Sequence, residues 1–112
     1  MTDQEIARKY LDKIHNAKQR NIEFNLSLTA FKNLMRAKKC RYTKMVLTEG
    51  KDGALIVSDR TIDRKDSSKG YIKGNCVAVC HGANQFKSIF ENPKSKSKLA
   101  PELAARILKF IK

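Results

Sequence analysis

Between Thr61 and Ser88 the chain reads TIDRKDSSKGYIKGNCVAVCHGANQFKS, and its changes of hydrophobic period leave few ways to fold. A β-branched run ends at Asp63, and residues 65 to 74 then carry two glycines in a mostly polar segment, which predicts a loop. CVAV, residues 76 to 79, is a second short strand. Residues 80 to 91 place Ala83, Phe86 and Phe90 on one side of a helix, which Asn92-Pro93 ends. The order strand, loop, strand, helix predicts a small ββα finger with its core at about 59–91. Although 21 residues separate Asp63 from Asn84, the hairpin return carries the end of the first strand to the first turn of the helix.

The flanks read more simply. Over residues 3 to 18, Ile6, Tyr10, Ile14 and Ala17 form one helical stripe, with Arg8, Lys9, Asp12 and Lys13 outside it; Thr2 or Asp3 caps the start. NIEFNL (21–26) alternates Ile22, Phe24 and Leu26 inward as a short strand. Ser27 caps a second helix over 28–38 whose buried stripe is Leu28, Phe31, Leu34 and Met35. Two further strands, about 44–48 and 54–58, are expected on either side of a turn at GKDG. KSKSKLA is a basic linker, and Pro101 opens an amphipathic last helix. The expectation is one α+β domain over 1–112, with a helical part at 1–39 and a linker and helix at 92–112.

Charge narrows the partner. Against 11 acidic residues stand 24 lysines and arginines, a net charge of +13 that strains the compact state unless a polyanion relieves it. Nucleic acid does so, because each neutralised phosphate releases condensed counterions. DNA is the expected partner, with RNA as the other candidate, and the protein is expected to be a monomer or weak dimer. No run approaches 18 apolar residues, so no membrane span is expected. The odd set Cys40, Cys76 and Cys80, behind an N-terminus without an apolar signal region, predicts a reduced, cytoplasmic protein.

The finger also gathers oxygen donors. Magnesium takes oxygen ligands and usually only one or two from protein, which the Asp63 carboxylate and the Asn84 carbonyl could supply; manganese is the alternative ion. The competing reading of Asp63 is an ion pair with Arg64 or Lys87. Asn75, where the loop closes, can hydrogen-bond the loop's own backbone. Gly70 and Gly74 read as turn residues with positive φ. The basic residues of 36–44 and 94–98, Arg41 and Lys44 among them, are expected to track phosphates, as are Lys69, Lys73 and Lys87.

At these residues the chain resembles the HNH, or ββα-metal, endonucleases. DRKDSSKGYIKGN looks much like their phage-type version, and the nine-residue step from Asn75 to Asn84 fits the family's interval between the loop-closing Asn and the second metal ligand. Lys87 matches a recurrent basic position of the family's helix. The similarity extends through AKQRNIEFNLSLTAFKNLM and CRYTK, so it covers roughly residues 8 to 91. It implies a metal-dependent endonuclease that nicks or cuts DNA.

Two departures qualify it. Relatives often hold a structural zinc with two C-x-x-C pairs; here Thr43 and Ala83 replace the second member of each, so Cys40 and Cys80 cannot complete a four-ligand shell, and no structural zinc is expected. Arg64 stands where relatives place a histidine base. A guanidinium does not take up a proton, but it can clamp a phosphate. The base then falls to His81, three residues before Asn84, while His15 reads as surface. The rival expectation is the same fold without catalysis, a nucleic-acid-binding or host-interaction module.

Overall fold

A computed structural model describes residues 1–50 and 55–91. The GKDG turn from Lys51 onward, the linker and the last helix lie outside the described residues. The fold is α+β. Helices α1 (Asp3–Gln19) and α2 (Leu28–Met35) precede an antiparallel hairpin of β1 (Arg60–Arg64) and β2 (Cys76–Cys80), and α3 (His81–Glu91) follows without a break. The register pairs Arg60 with Cys80, Ile62 with Ala78 and Arg64 with Cys76. The ββα finger is therefore present, with α3 returning alongside β1: the His81 N–H donates to the Asp59 carbonyl at one end, and Lys87 reaches the Arg64 carbonyl at the other.

Thr2 starts α1 through a capping box with Glu5, and Ser27 caps α2 by accepting from the Ala30 N–H. Ile6 and Ala17 of α1 bury against Leu26, Phe31, Ile62 and Tyr71. An edge-on aromatic chain, Tyr10 against both Phe24 and Phe31, knits that cluster. Phe31, 2% exposed, contributes about 1.5–3 kcal/mol by burial alone. A second cluster joins Cys40 and Leu47 to Ala78, Val79 and Cys80 of β2.

Several elements differ from expectation. The second helix stops at Met35, three residues early, and Leu28, its first residue, is exposed instead of joining the buried stripe. Residues 21–26 alternate as expected but form a single parallel bridge, Phe24 to Tyr71, instead of a strand. That bridge fastens the hairpin loop to the α1–α2 connection, with Tyr71 N–H on Glu23 O and Asn25 N–H on Tyr71 O. Of the strands expected over 44–48 and 54–58, no paired strand runs among the described residues. Val46 bridges Lys39 and Thr48 bridges Asp59, leaving Val46, Ile56 and Val57 exposed. The segments meet at one point, where the Thr48 N–H donates to the Ser58 carbonyl, while the Val57 and Asp59 carbonyls receive the first N–H groups of α3.

Candidate functional site

The hairpin loop is built around one side chain. Asn75, 7% exposed, accepts from the Asp66 N–H at 2.9 Å and donates to the carbonyls of Asp66 (3.1 Å) and Gly70 (2.9 Å). Three hydrogen bonds from one amide close the loop, the role expected of it. Asp66 orders the turn below by accepting from the Ser68 hydroxyl and N–H, which hold its carboxyl below the usual range. Gly74 has φ +85°, as expected, but Gly70 does not have positive φ. Its reason is proximity: a Cβ there would lie 2.4 Å from the Glu23 carbonyl oxygen.

Above this loop, β1, α3 and α1 enclose an open cleft of about 480 Å³. Asp63, Arg64, Asn84 and Lys87 line it together, the expected metal ligands and phosphate contacts of the finger. Asp63 is 9% exposed, and its Oδ2 receives the Lys87 ammonium at 2.9 Å and the Tyr42 hydroxyl at 2.7 Å. Lys87 also donates to the Arg64 carbonyl at 2.6 Å. The ion pair weighed for Asp63 thus forms, with Lys87 as the partner. Asn84 donates from Nδ2 to the Thr61 hydroxyl at 3.2 Å, which leaves its carbonyl oxygen as the open acceptor. Arg64 turns one end of its guanidinium back onto the loop, with Nη1 on the carbonyls of Ser67 and Lys69 at 3.0 Å each.

His81 is placed differently. It is absent from the cleft lining and sits one turn before Asn84, beside Asp59. The Thr48 hydroxyl first, then the Ile56 N–H, lower the Asp59 carboxyl, and the His81 charge adds to them. The alternation of β1 explains the separation. Asp59, Thr61 and Asp63 recur every second residue, and His81, Asn84 and Lys87 every third, so each helix residue meets a different rung.

The remaining basic residues fall into separate places. Lys69 and Lys73 are exposed on the hairpin loop. Arg41 and Lys44 line a shallower groove with Lys39 against Val77 and Ala78 of β2. Two cleft residues were missed in the sequence, Lys13 of α1 and Arg20, its C-cap. Their signal was the spacing 10, 13, 17, 20, which sets both on the flank of the Tyr10–Ala17 stripe. Tyr42 was missed as well, hidden in a basic segment.

Cys40 and Cys80 are both 1% exposed in one apolar cluster, with the Thr43 side chain 3.8 Å from Cys80 Sγ. Burial pushes the Cys40 thiol up, but the Thr43 hydroxyl and the N–H groups of Cys80, Thr43 and Tyr42 outweigh it and bring the thiol down to about 7. Among the described residues no group of three or more His, Cys, Asp or Glu side chains is arranged to hold a metal.

Comparison with known proteins shows a likeness to a phage protein. Over 73 residues the chain is 36% identical to an uncharacterized 29.0 kDa protein from the dda-modA intergenic region of Enterobacteria phage T4. That match covers 65% of this chain and 28% of the phage protein, so the chain spans less than a third of that relative's length. No family model and no solved structure matches the chain. Among the described residues no helix is long and apolar enough to cross a membrane.

Proposed function

We propose that the cleft binds the sugar–phosphate backbone of DNA and cuts it with the help of a divalent cation, as an HNH-type endonuclease acting in a reducing cytoplasm. The observation that carries this reading is the company in the cleft: Asp63 and Asn84 share it with Lys13, Arg20, Arg64 and Lys87, four cations around one carboxylate. Such a balance attracts a phosphate diester and leaves two oxygen donors among the positive charges.

The donor set fits Mg²⁺ or Mn²⁺. Both ligands are hard oxygens, Asn84 has its amide nitrogen committed elsewhere, and both contacts of Asp63 named above use Oδ2, leaving Oδ1 to neither. A divalent cation there would polarise a phosphate oxygen and stabilise the leaving 3′-oxygen. The chain's own contribution is positioning. Arg64 has its Nε and Nη2 edges left for a phosphate once Nη1 is held by the loop, and Lys87 places a further charge within the same cleft. His81, outside the cleft lining, is assigned no part in the step.

A second reading, the same finger as a binding module without cleavage, is favoured by one feature: Lys87 already satisfies Asp63 Oδ2. Substitution separates the two. Asp63→Ala and Asn84→Ala should each abolish Mg²⁺-dependent cleavage of duplex DNA while leaving its binding, measured by anisotropy, intact or tighter. Cleavage that survives both substitutions would overturn the assignment; binding without cleavage in the unaltered protein would establish the module.

A further inference from the structure

We propose that helix α1 forms the second wall of a phosphate track, in which Lys13 and Arg20 grip the nucleic-acid backbone on phosphates flanking the one that meets Asp63 and Asn84. The inference rests on the reading of the cleft as a nucleic-acid site and specifies what extends that site beyond the finger. Lys13 stands 4.8 Å above the Tyr71 ring, and Arg64 approaches the same ring at 5.4 Å. Tyr71 is 5% exposed and hydrogen-bonded into the loop bridge, so it is a fixed post that steers both cations to the cleft. Arg20 makes no side-chain hydrogen bond or ion pair among the described residues. By contrast, Lys32 and Arg36 both pair with Asp3.

The spacing selects the ligand class. Seven residues of rise set the Lys13 and Arg20 backbones about 10 Å apart along the helix axis, so the two side chains together cover a stretch of polynucleotide backbone. Phosphates flanking a central one in a polynucleotide span such a stretch, whereas a single inorganic phosphate does not. Ser67 and Ser88 on the cleft lining add hydroxyl donors of the kind that position a backbone without reading bases. The track is accordingly sequence-independent.

The test is the salt dependence of binding to a 20-base-pair duplex, followed by anisotropy in EDTA so that no cleavage intervenes. Lys13→Gln/Arg20→Gln should flatten the log–log slope by about 1.8, the loss of two phosphate contacts. Arg8→Gln/Lys18→Gln removes the same charge from exposed positions of α1 outside the cleft and should change the slope far less. If the two double variants behave alike, the track along α1 is wrong while the cleft reading stands. An unaltered protein whose affinity for duplex is independent of salt overturns the cleft reading itself, and the track with it. With cleavage restored by Mn²⁺, the cleft pair should raise KM and leave kcat within about twofold, since neither side chain touches the reacting phosphate.

Discussion

Replacing Lys87 by Met interrogates the centre of the cleft in two independent ways. The pair it breaks is short, 2.9 Å, with side chains 19% and 11% exposed, and the ammonium also serves the Arg64 carbonyl. Fully exposed pairs contribute about 0.2–1 kcal/mol, and orphaning one partner of a buried pair costs about 3–5. With the Tyr42 hydroxyl still on Asp63 Oδ2, the expected loss lies between, about 2 kcal/mol. For a domain of this size that lowers Tm by about 8 °C. Met keeps the stem's packing, so the loss reports the charge and not a cavity. Asp63→Asn in the same background should recover about half of it, because the carboxylate is no longer uncompensated. The second effect has the opposite sign. Removing the ammonium from Oδ2 should tighten Mn²⁺ binding, read by calorimetry, by on the order of tenfold. A Tm within 1 °C of the parent, taken as about 0.25 kcal/mol, would show that the pair contributes nothing. Weaker Mn²⁺ binding would show that Lys87 does not compete with a cation for Asp63.

Asn75→Ala deletes three hydrogen bonds and leaves the Asp66 N–H without its acceptor, so unfolding in urea should lose about 2–4 kcal/mol; a change below about 0.5 would remove Asn75 as the clasp of the loop. Gly70→Ala should lose about 1–3 kcal/mol by driving a methyl into Glu23, and a Gly70→Ala protein as stable as its parent would mean the loop does not dock there. Protein purified without chelators should carry no stoichiometric zinc by elemental analysis, and EDTA should leave its Tm unchanged; unfolding by EDTA would mean that other ligands complete a shell with Cys40 and Cys80.

The finger was legible in the sequence because its signals are local and agree. The loop at 65–74 is followed by an Asn that can satisfy only nearby backbone, CVAV is too short and too β-branched for a helix, and the helix begins where the strand ends. Asp63 and Asn84 followed from that topology and do share a cleft. What escaped was decided by long-range competition. Residues 45–48 and 55–58 have strand composition, but apart from Thr48 N–H on the Ser58 carbonyl their backbone groups are drawn to Lys38, Cys40 and the start of α3. His81 was grouped with Asn84 by counting along the helix alone, yet it does not line the cleft; the strand beneath advances about 6.6 Å per facing residue, so a shared helical face does not mean a shared cleft. Lys13 and Arg20 were passed over for a related reason. A basic residue flanking an apolar stripe looks solvated until another element is placed across from it.

The claim that the cleft is a metal-dependent phosphodiester-cutting site meets its most direct test in conversion of supercoiled plasmid to nicked circles by the purified protein. Nicking should appear with Mg²⁺ or Mn²⁺, vanish in EDTA, and vanish in Asp63→Ala purified alongside. Plasmid that stays supercoiled with either ion, in a protein that still binds it, would contradict the catalytic account and leave a basic finger that grips DNA.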